Sequence, residues 1–201
     1  MSPRPDVSEE RKQQILQAAM AVFARLGLSE ARMDDIVEES GLSKGALYWY
    51  FDSKDAIIGA ILDSMFEREF ADLKPILGGD GTVSERLYQF MDYTMKDVKR
   101  MFSLLPLAYE FYALAFRQKA VRQAIEKYFR QYVALLEPVI QEGIQEGEFR
   151  QVDAKDAVMA LGAIVEGTIL LWVYDAKAVD LEHHGKASLQ LLLDGLKADA
   201  S

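Results

Sequence analysis

The sequence predicts an all-α fold of about nine helices, and three observations carry that expectation. No segment alternates apolar and polar residues with period two, as a half-buried strand would. Apolar residues recur three and four apart instead, the spacing of one helix face. The stretches that show it open near Ser, Thr or Asp and close near Gly, the usual punctuation of helix ends.

The first helix is expected from about Ser8 to Leu26, with Ile15, Leu16, Ala19, Val22, Phe23 and Leu26 as its apolar stripe. Asp6 or Ser8 can cap it, Glu9 and Glu10 suit its positive end, and Gly27 stops it. Two short helices follow around Glu39-Ser40-Gly41-Leu42-Ser43. A fourth starts at Ser53, carries Ile57, Ile58, Ile61, Leu62, Met65 and Phe66, and ends before Pro75. Gly78-Gly79-Asp80-Gly81 makes a break. Thr82-Val83-Ser84-Glu85 then reads as a capping box for a helix bearing Leu87, Phe90, Met91, Met95 and Phe102. Pro106 sits in the first turn of a short helix to about Phe116. A long helix from Gln118 to about Glu146 contains Pro138, which should kink it. Asp153 caps the next helix, to about Tyr174, and the last lies between Asp180 and Lys197.

Composition narrows the function classes. The chain has 201 residues and is half apolar, enough for one or two helical cores. The longest apolar stretch, Val158 to Tyr174, is interrupted by Glu166 and two glycines, so no membrane span is expected. Cysteine is absent, which excludes disulfides and suits a cytoplasmic protein. The net charge is -9, and residues 1–55 hold seven Lys/Arg against ten Asp/Glu, so bulk charge gives nucleic-acid binding no support. Placement gives more. Lys44 and Lys54 flank the third helix, and steep salt sensitivity is expected of any duplex binding.

Residues 32–51 carry the clearest motif. Met33, Ile36 and Val37 share one helical face and Leu47 and Phe51 another, on either side of a tight turn. Gly41 can take the positive φ of a sharp reversal, and Ser43 can cap the helix after it. That is a helix-turn-helix layout, whose second helix enters the DNA major groove. Lys44, Gly45, Ala46, Trp49 and Tyr50 face outward from it without a carboxylate among them. Tyr48, Trp49 and Tyr50 point about 100° apart, so at least one must be exposed, and Trp49 is favoured.

The run Gly41-Leu42-Ser43-Lys44-Gly45-Ala46-Leu47-Tyr48-Trp49-Tyr50-Phe51, then Ser53-Lys54, closely resembles the DNA-binding segment of TetR-family transcriptional regulators. The resemblance implies a homodimeric repressor that reads a palindromic double-stranded operator and releases it on binding a small hydrophobic effector. It implies a helix-turn-helix domain over residues 1–54 and a ligand-binding and dimerisation domain over residues 55–201. It places Lys44, Gly45, Ala46, Trp49 and Tyr50 at bases or the backbone nearby, puts Tyr48 and Lys54 at phosphates, and counts Ser43 among the DNA-binding residues. Arg32 stands where the family usually has a capping Thr. It cannot cap, but its guanidinium can reach a phosphate.

The effector side is read from residue types. Met65, Phe66, Met91, Met95, Tyr109, Tyr112, Tyr128, Tyr132 and Trp172 are large and lightly polar, and are expected as pocket walls, with Glu110 or Glu166 orienting the ligand. Ordinary core packing is the commoner role for most of these apolar and aromatic residues, and a solvent-facing position is the commoner one for Glu166. Leu161, Ile164, Val165, Thr168 and Ile169, with Leu189, Leu192, Leu193 and Leu196, are expected to form an isologous four-helix interface. His183 and His184 are adjacent on a helix and cannot converge on one metal. No cofactor motif and no nucleophile–base pairing is legible, so an enzyme is not expected. A helical scaffold or small-molecule binder that does not touch DNA is the alternative.

Overall fold

The computed structural model describes residues 7–101 and 105–198. Among them are nine α-helices: α1 (Val7–Glu30), α2 (Met33–Ser40), α3 (Lys44–Tyr50), α4 (Lys54–Leu77), α5 (Val83–Arg100), α6 (Leu105–Ala115), α7 (Lys119–Gln145), α8 (Ala154–Tyr174) and α9 (Leu181–Leu196). The described residues hold no strand, only an isolated bridge between Phe149 and Lys197. Asp6 and Phe102, expected as a cap and a core residue, lie outside the described residues.

The chain packs as two compact units. The first comprises Met1–Glu67 and Ser103–Tyr128, the second Arg68–Phe102 and Phe129–Ser201. The first is therefore larger than the expected 1–54 module. The reason is its core: Phe111 of α6 and Val121 and Ala124 of α7 join Ile15, Val22, Phe23, Ile36, Leu47 and Ile58 in one buried cluster. Burying each large aliphatic side chain contributes about 1.5–3 kcal/mol.

In the first unit α1 packs on α2 and α6. Gly27, at φ 76° and ψ 161°, interrupts α1 as its position in the sequence suggests. One further turn follows before α2, with the Ala31 N–H donating to the Gly27 carbonyl at 3.3 Å. Arg32 gives α2 no side-chain cap. Asp35 compensates from three residues on, its carboxylate accepting from the Arg32 N–H at 2.7 Å.

In the second unit α5 packs on α9 and α8, and α8 on α9. The Thr82–Glu85 capping box forms at the start of α5. A second carboxylate joins it: Glu148 accepts from the Val83 and Ser84 N–H groups, both at 2.8 Å, satisfying donors that a helix start leaves open. Arg86 is buried, donates to the Leu77 carbonyl at 2.9 Å, and pairs with Glu142. Asp153 caps α8 as expected, and Asp180 caps α9.

Two expectations fail on helix grammar. α4 does not end before Pro75 but continues to Leu77. Proline's φ is helical, and the bond it removes is one interior bond among many. The stripe of α8 and α9 that was expected at a dimer interface is also placed differently. Leu161, Val165, Thr168, Leu189, Leu193 and Leu196 are all buried within the chain, and Ile164, Ile169 and Leu192 are half-buried. α5 lies against these helices and takes the stripe that seemed to await a partner. What remains outside is Met159, Leu171, Val173 and Tyr174 on α8 and Leu191 on α9. By length and composition α8 is also apolar enough to cross a bilayer, with only a third of its most apolar stretch buried.

Candidate nucleic-acid interface

α2 and α3 are joined by a reversal that each residue between them helps to fix. Gly41 sits at φ 66°, ψ 11°, where a β-carbon would be strained, and its N–H donates to the Glu38 carbonyl at 3.3 Å. Ser40 is buried. Its hydroxyl donates to the Val37 carbonyl at 3.0 Å and accepts from the Leu42 N–H at 3.3 Å. Gln14 of α1 donates to the Ser40 carbonyl at 2.7 Å, tying the turn to the longest helix of the unit's front half. Ser43 caps α3, accepting from the Ala46 N–H at 3.1 Å.

Only Leu47 of α3 is buried, and the rest of the helix is presented outward to differing degrees. Trp49 is 83% exposed and Tyr48 42%, as the angular argument required of at least one aromatic. Gly45 is exposed, and a β-carbon added there would meet nothing within 4 Å. Neither packing nor backbone conformation asks for glycine at this site, and glycine inside a helix costs about 1 kcal/mol relative to alanine. Its remaining use is to let something approach the backbone closely. Lys44 lies 2.7 Å from Asp34 of α2, and the hydrogen bond to that carboxylate holds its pKa above the ordinary lysine value. Its ammonium also stands 6.0 Å from the centre of the Tyr48 ring. Arg32 is exposed at the mouth of α2.

Two residues take positions other than those expected. Tyr50 is half-buried and packs against the core cluster. It lies three residues after Leu47, so the two share a helix face. Lys54, expected at a phosphate, points its ammonium at the end of the last turn of α1, the one beyond Gly27. It donates to the carbonyls of Leu28 at 2.5 Å, Ala31 at 2.8 Å and Ser29 at 3.4 Å. A cation there satisfies carbonyls that the turn leaves open. Sequence spacing holds no signal for a contact across 26 residues.

The residues expected around an effector divide between the two units. In the first, Met65, Phe66, Tyr109 and Tyr128 are half-buried and Tyr112 is 40% exposed. Phe66 stacks on Tyr128 at 4.0 Å, Tyr109 and Tyr112 lie 6.2 Å apart, and Lys127 pairs with Asp63 at 2.7 Å, joining α7 to α4. Glu110 turns away from a ligand role: its carboxylate accepts from the Leu28 N–H at 2.9 Å. In the second unit Met91 and Met95 are fully buried against Gly185 of α9, so helix packing already occupies them. Tyr132 is buried 6.3 Å from Phe90, and burial, with the charges of Glu166 and Glu69, raises its pKa. Trp172 is half-buried, and Glu166 faces outward on α8.

A cleft of about 950 Å³ in the second unit was not foreseen. Tyr88, Asp92, Tyr93, Lys96, Lys99, Arg100, Glu182 and Lys186 line it. Its cations are held by Asp92, Glu182 and Asp97. Among the described residues no three metal-ligating side chains come together.

Known proteins match this chain over most of its length. Residues 15–61 match the family model described as bacterial regulatory proteins, tetR family, and residues 80–198 match that of the QacR-like protein C-terminal region. An uncharacterized HTH-type transcriptional regulator, YfiR of Bacillus subtilis, is 30% identical over 76% of this chain and 75% of its own length. The fold is that of a TetR transcription regulator from Haloarcula marismortui, with a TM-score of 0.83 at 22% identity over 94% of this chain and 99% of that one. It is also that of FadR from Bacillus subtilis in complex with stearoyl-CoA, with a TM-score of 0.75 at 23% identity over 92% of this chain and 98% of the other.

Proposed function

The chain belongs to the TetR family of bacterial transcriptional regulators, and from that premise we propose that it represses by holding a palindromic operator as a homodimer and lets go when a hydrophobic effector binds. It is a ligand-responsive DNA-binding regulator, and its place of work is where the DNA is, in the cytoplasm. The observation that carries the operator reading is the surface of α3. One residue is buried, no carboxylate is present, and an indole 83% exposed stands beside an unfilled glycine.

The residue roles follow from these positions. Trp49, with Gly45 and Ala46, faces base edges, where an indole can touch a thymine methyl. Lys44, Tyr48 and Arg32 face phosphates. Lys44 must leave Asp34 to do so, an exchange of one exposed ion pair for another. Tyr50 and Lys54 support this surface from behind. A single helix-turn-helix holds a half-site weakly, so a second copy is required, with recognition helices about 34–36 Å apart. The outward apolar residues of α8 and α9 supply the face for that copy, and Glu166 lies on the same side of α8 as Met159 and Tyr174.

For the effector, the aromatic residues of the first unit are the better anchor. Phe66, Tyr128, Tyr109 and Tyr112 are neither fully packed nor fully exposed, which suits walls of a site for an apolar molecule. An acyl chain such as that of the stearoyl-CoA bound to the similar FadR has the right character.

The test is retardation of the chain's own promoter fragment. Trp49→Ala should leave the unfolding temperature unchanged, because the indole is exposed, and should weaken operator binding by about tenfold, the loss of one good base contact. Equal retardation by wild type and variant would remove Trp49 from the interface.

A further inference from the structure

We propose that Glu110 is a positioning residue through which α6 sets the helix-turn-helix, by holding the turn that links α1 to α2. The inference deepens the operator-binding reading and rests on it only where DNA affinity is concerned.

The turn is a separate piece of helix. Gly27 breaks α1 at φ 76°, a conformation that a side chain would strain, and the chain restarts with the Ala31 N–H on the Gly27 carbonyl. Such a piece has its own open N–H groups at the start and open carbonyls at the end. Each end is met by one charged side chain of fitting sign. At the start, Glu110 accepts from the Leu28 N–H at 2.9 Å, and its Oε1 lies 3.6 Å from where a β-carbon on Gly27 would stand. At the finish, Lys54 reaches the carbonyls of Leu28, Ser29 and Ala31. An anion at the amino end and a cation at the carboxyl end is the arrangement that a helix dipole favours. Leu28 and Ala31 are both 2% exposed, so the turn is also seated in the core.

The two handles come from different helices. Lys54 opens α4 and Glu110 stands in α6, while the residue just past the turn is Arg32, where α2 begins. A cleft of about 350 Å³ lies beside the carboxylate, between the Leu26–Ser29 segment and Ala113, Leu114 and Arg117. A shift of about 1 Å is enough to take a 2.9 Å contact beyond hydrogen-bonding range. α6 also carries Tyr109 and Tyr112, so a molecule that displaces those rings acts on the same helix whose Glu110 holds Leu28.

Full-length Glu110→Ala and Glu110→Gln decide the matter, read by amide hydrogen exchange and by operator affinity. Glu110→Ala should speed exchange of the amides from Leu28 through Ser40 by about tenfold, the loss of roughly one charge-assisted bond, and leave α8 and α9 unchanged. It should weaken wild-type operator affinity by about five- to tenfold. Glu110→Gln keeps an oxygen that accepts the same N–H, and should stay within about threefold of wild type in both measurements. Unchanged exchange over residues 28–40, acceleration of every helix alike, or a Gln variant as impaired as the Ala variant would each overturn the proposal. A wild-type protein that binds no duplex would overturn the operator reading instead, while the exchange pattern still decides the role of Glu110.

Discussion

Tyr93 keeps its proton through a pH range in which an exposed phenol gives it up. Burial, helped by the hydrogen bond that its hydroxyl donates to Asp72 at 2.6 Å, pushes its pKa up to about 12. The unfolded chain loses that proton near pH 10. Below pH 10 both states are neutral and the contribution to stability is fully present. It is lost as pH rises from about 10 to 12, because the unfolded state then deprotonates first. Two units correspond to at most about 2.7 kcal/mol, and partial solvent access brings this nearer 1–2 kcal/mol. Tyr93→Phe lacks the phenol, so the stability of wild type relative to the variant, read by urea unfolding, should fall by about 1–2 kcal/mol between pH 8 and pH 12. A gap that is constant across that range would show the phenol to be unperturbed. Residues differ in how far the sequence announced them. Trp49 was legible because three aromatics in a row cannot all face inward. Lys54 and Glu110 were not, because both make their bonds to backbone atoms of a turn many positions away.

At the scale of elements, α8 illustrates what periodicity can and cannot say. Its apolar residues run almost around the helix, so the pattern gives a helix without giving a direction. The structure divides that circumference: Leu161, Val165 and Thr168 turn to α5 and α9, and Met159, Leu171, Val173 and Tyr174 turn out. α9 is divided in the same way, with Leu189 and Leu193 inside and Leu191 75% exposed. Leu171→Glu with Leu191→Glu should therefore give a monomer by light scattering at micromolar concentration with helicity intact, since both residues are mostly exposed. Leu189→Glu should unfold the chain, because a charge there has no water and no partner. A dimer that survives the first pair of changes would move the interface elsewhere. Capping was the other legible feature of the elements, at Ser43, Thr82 and Asp153. Pro75 was misread because a proline forbids one bond, not a helix.

Taken whole, the molecule carries nine net negative charges and must still hold a polyanion. Affinity then depends on a few local cations, and salt will report how many. If Lys44 and Arg32 of two subunits each meet a phosphate, as proposed, four are neutralised and the slope of log K against log salt should be about -4. Lys44→Ala should reduce that slope by about 2, measured by anisotropy of a labelled operator between 50 and 200 mM salt. A slope indifferent to Lys44 would leave its ammonium with Asp34 in the complex. The division of the chain into units was the least legible feature at this scale. A glycine-rich break at 78–81 looks like a boundary in one dimension, whereas burial of Phe111, Val121 and Ala124 with α1–α4 is settled by contacts across half the chain.

The near-absence of buried residues in α3 has a consequence for how such a protein can change over generations. A helix anchored by Leu47, with Ser43 as its cap and Tyr50 behind it, places almost no folding demand on Gly45, Ala46 and Trp49. Mutations at those sites are tolerated by the fold whatever they do to recognition. After a gene duplication, one copy can drift to a new control sequence in small steps, each of them a viable protein. The switching apparatus behind it, with Glu110 and Lys54 at the linking turn, is inherited intact.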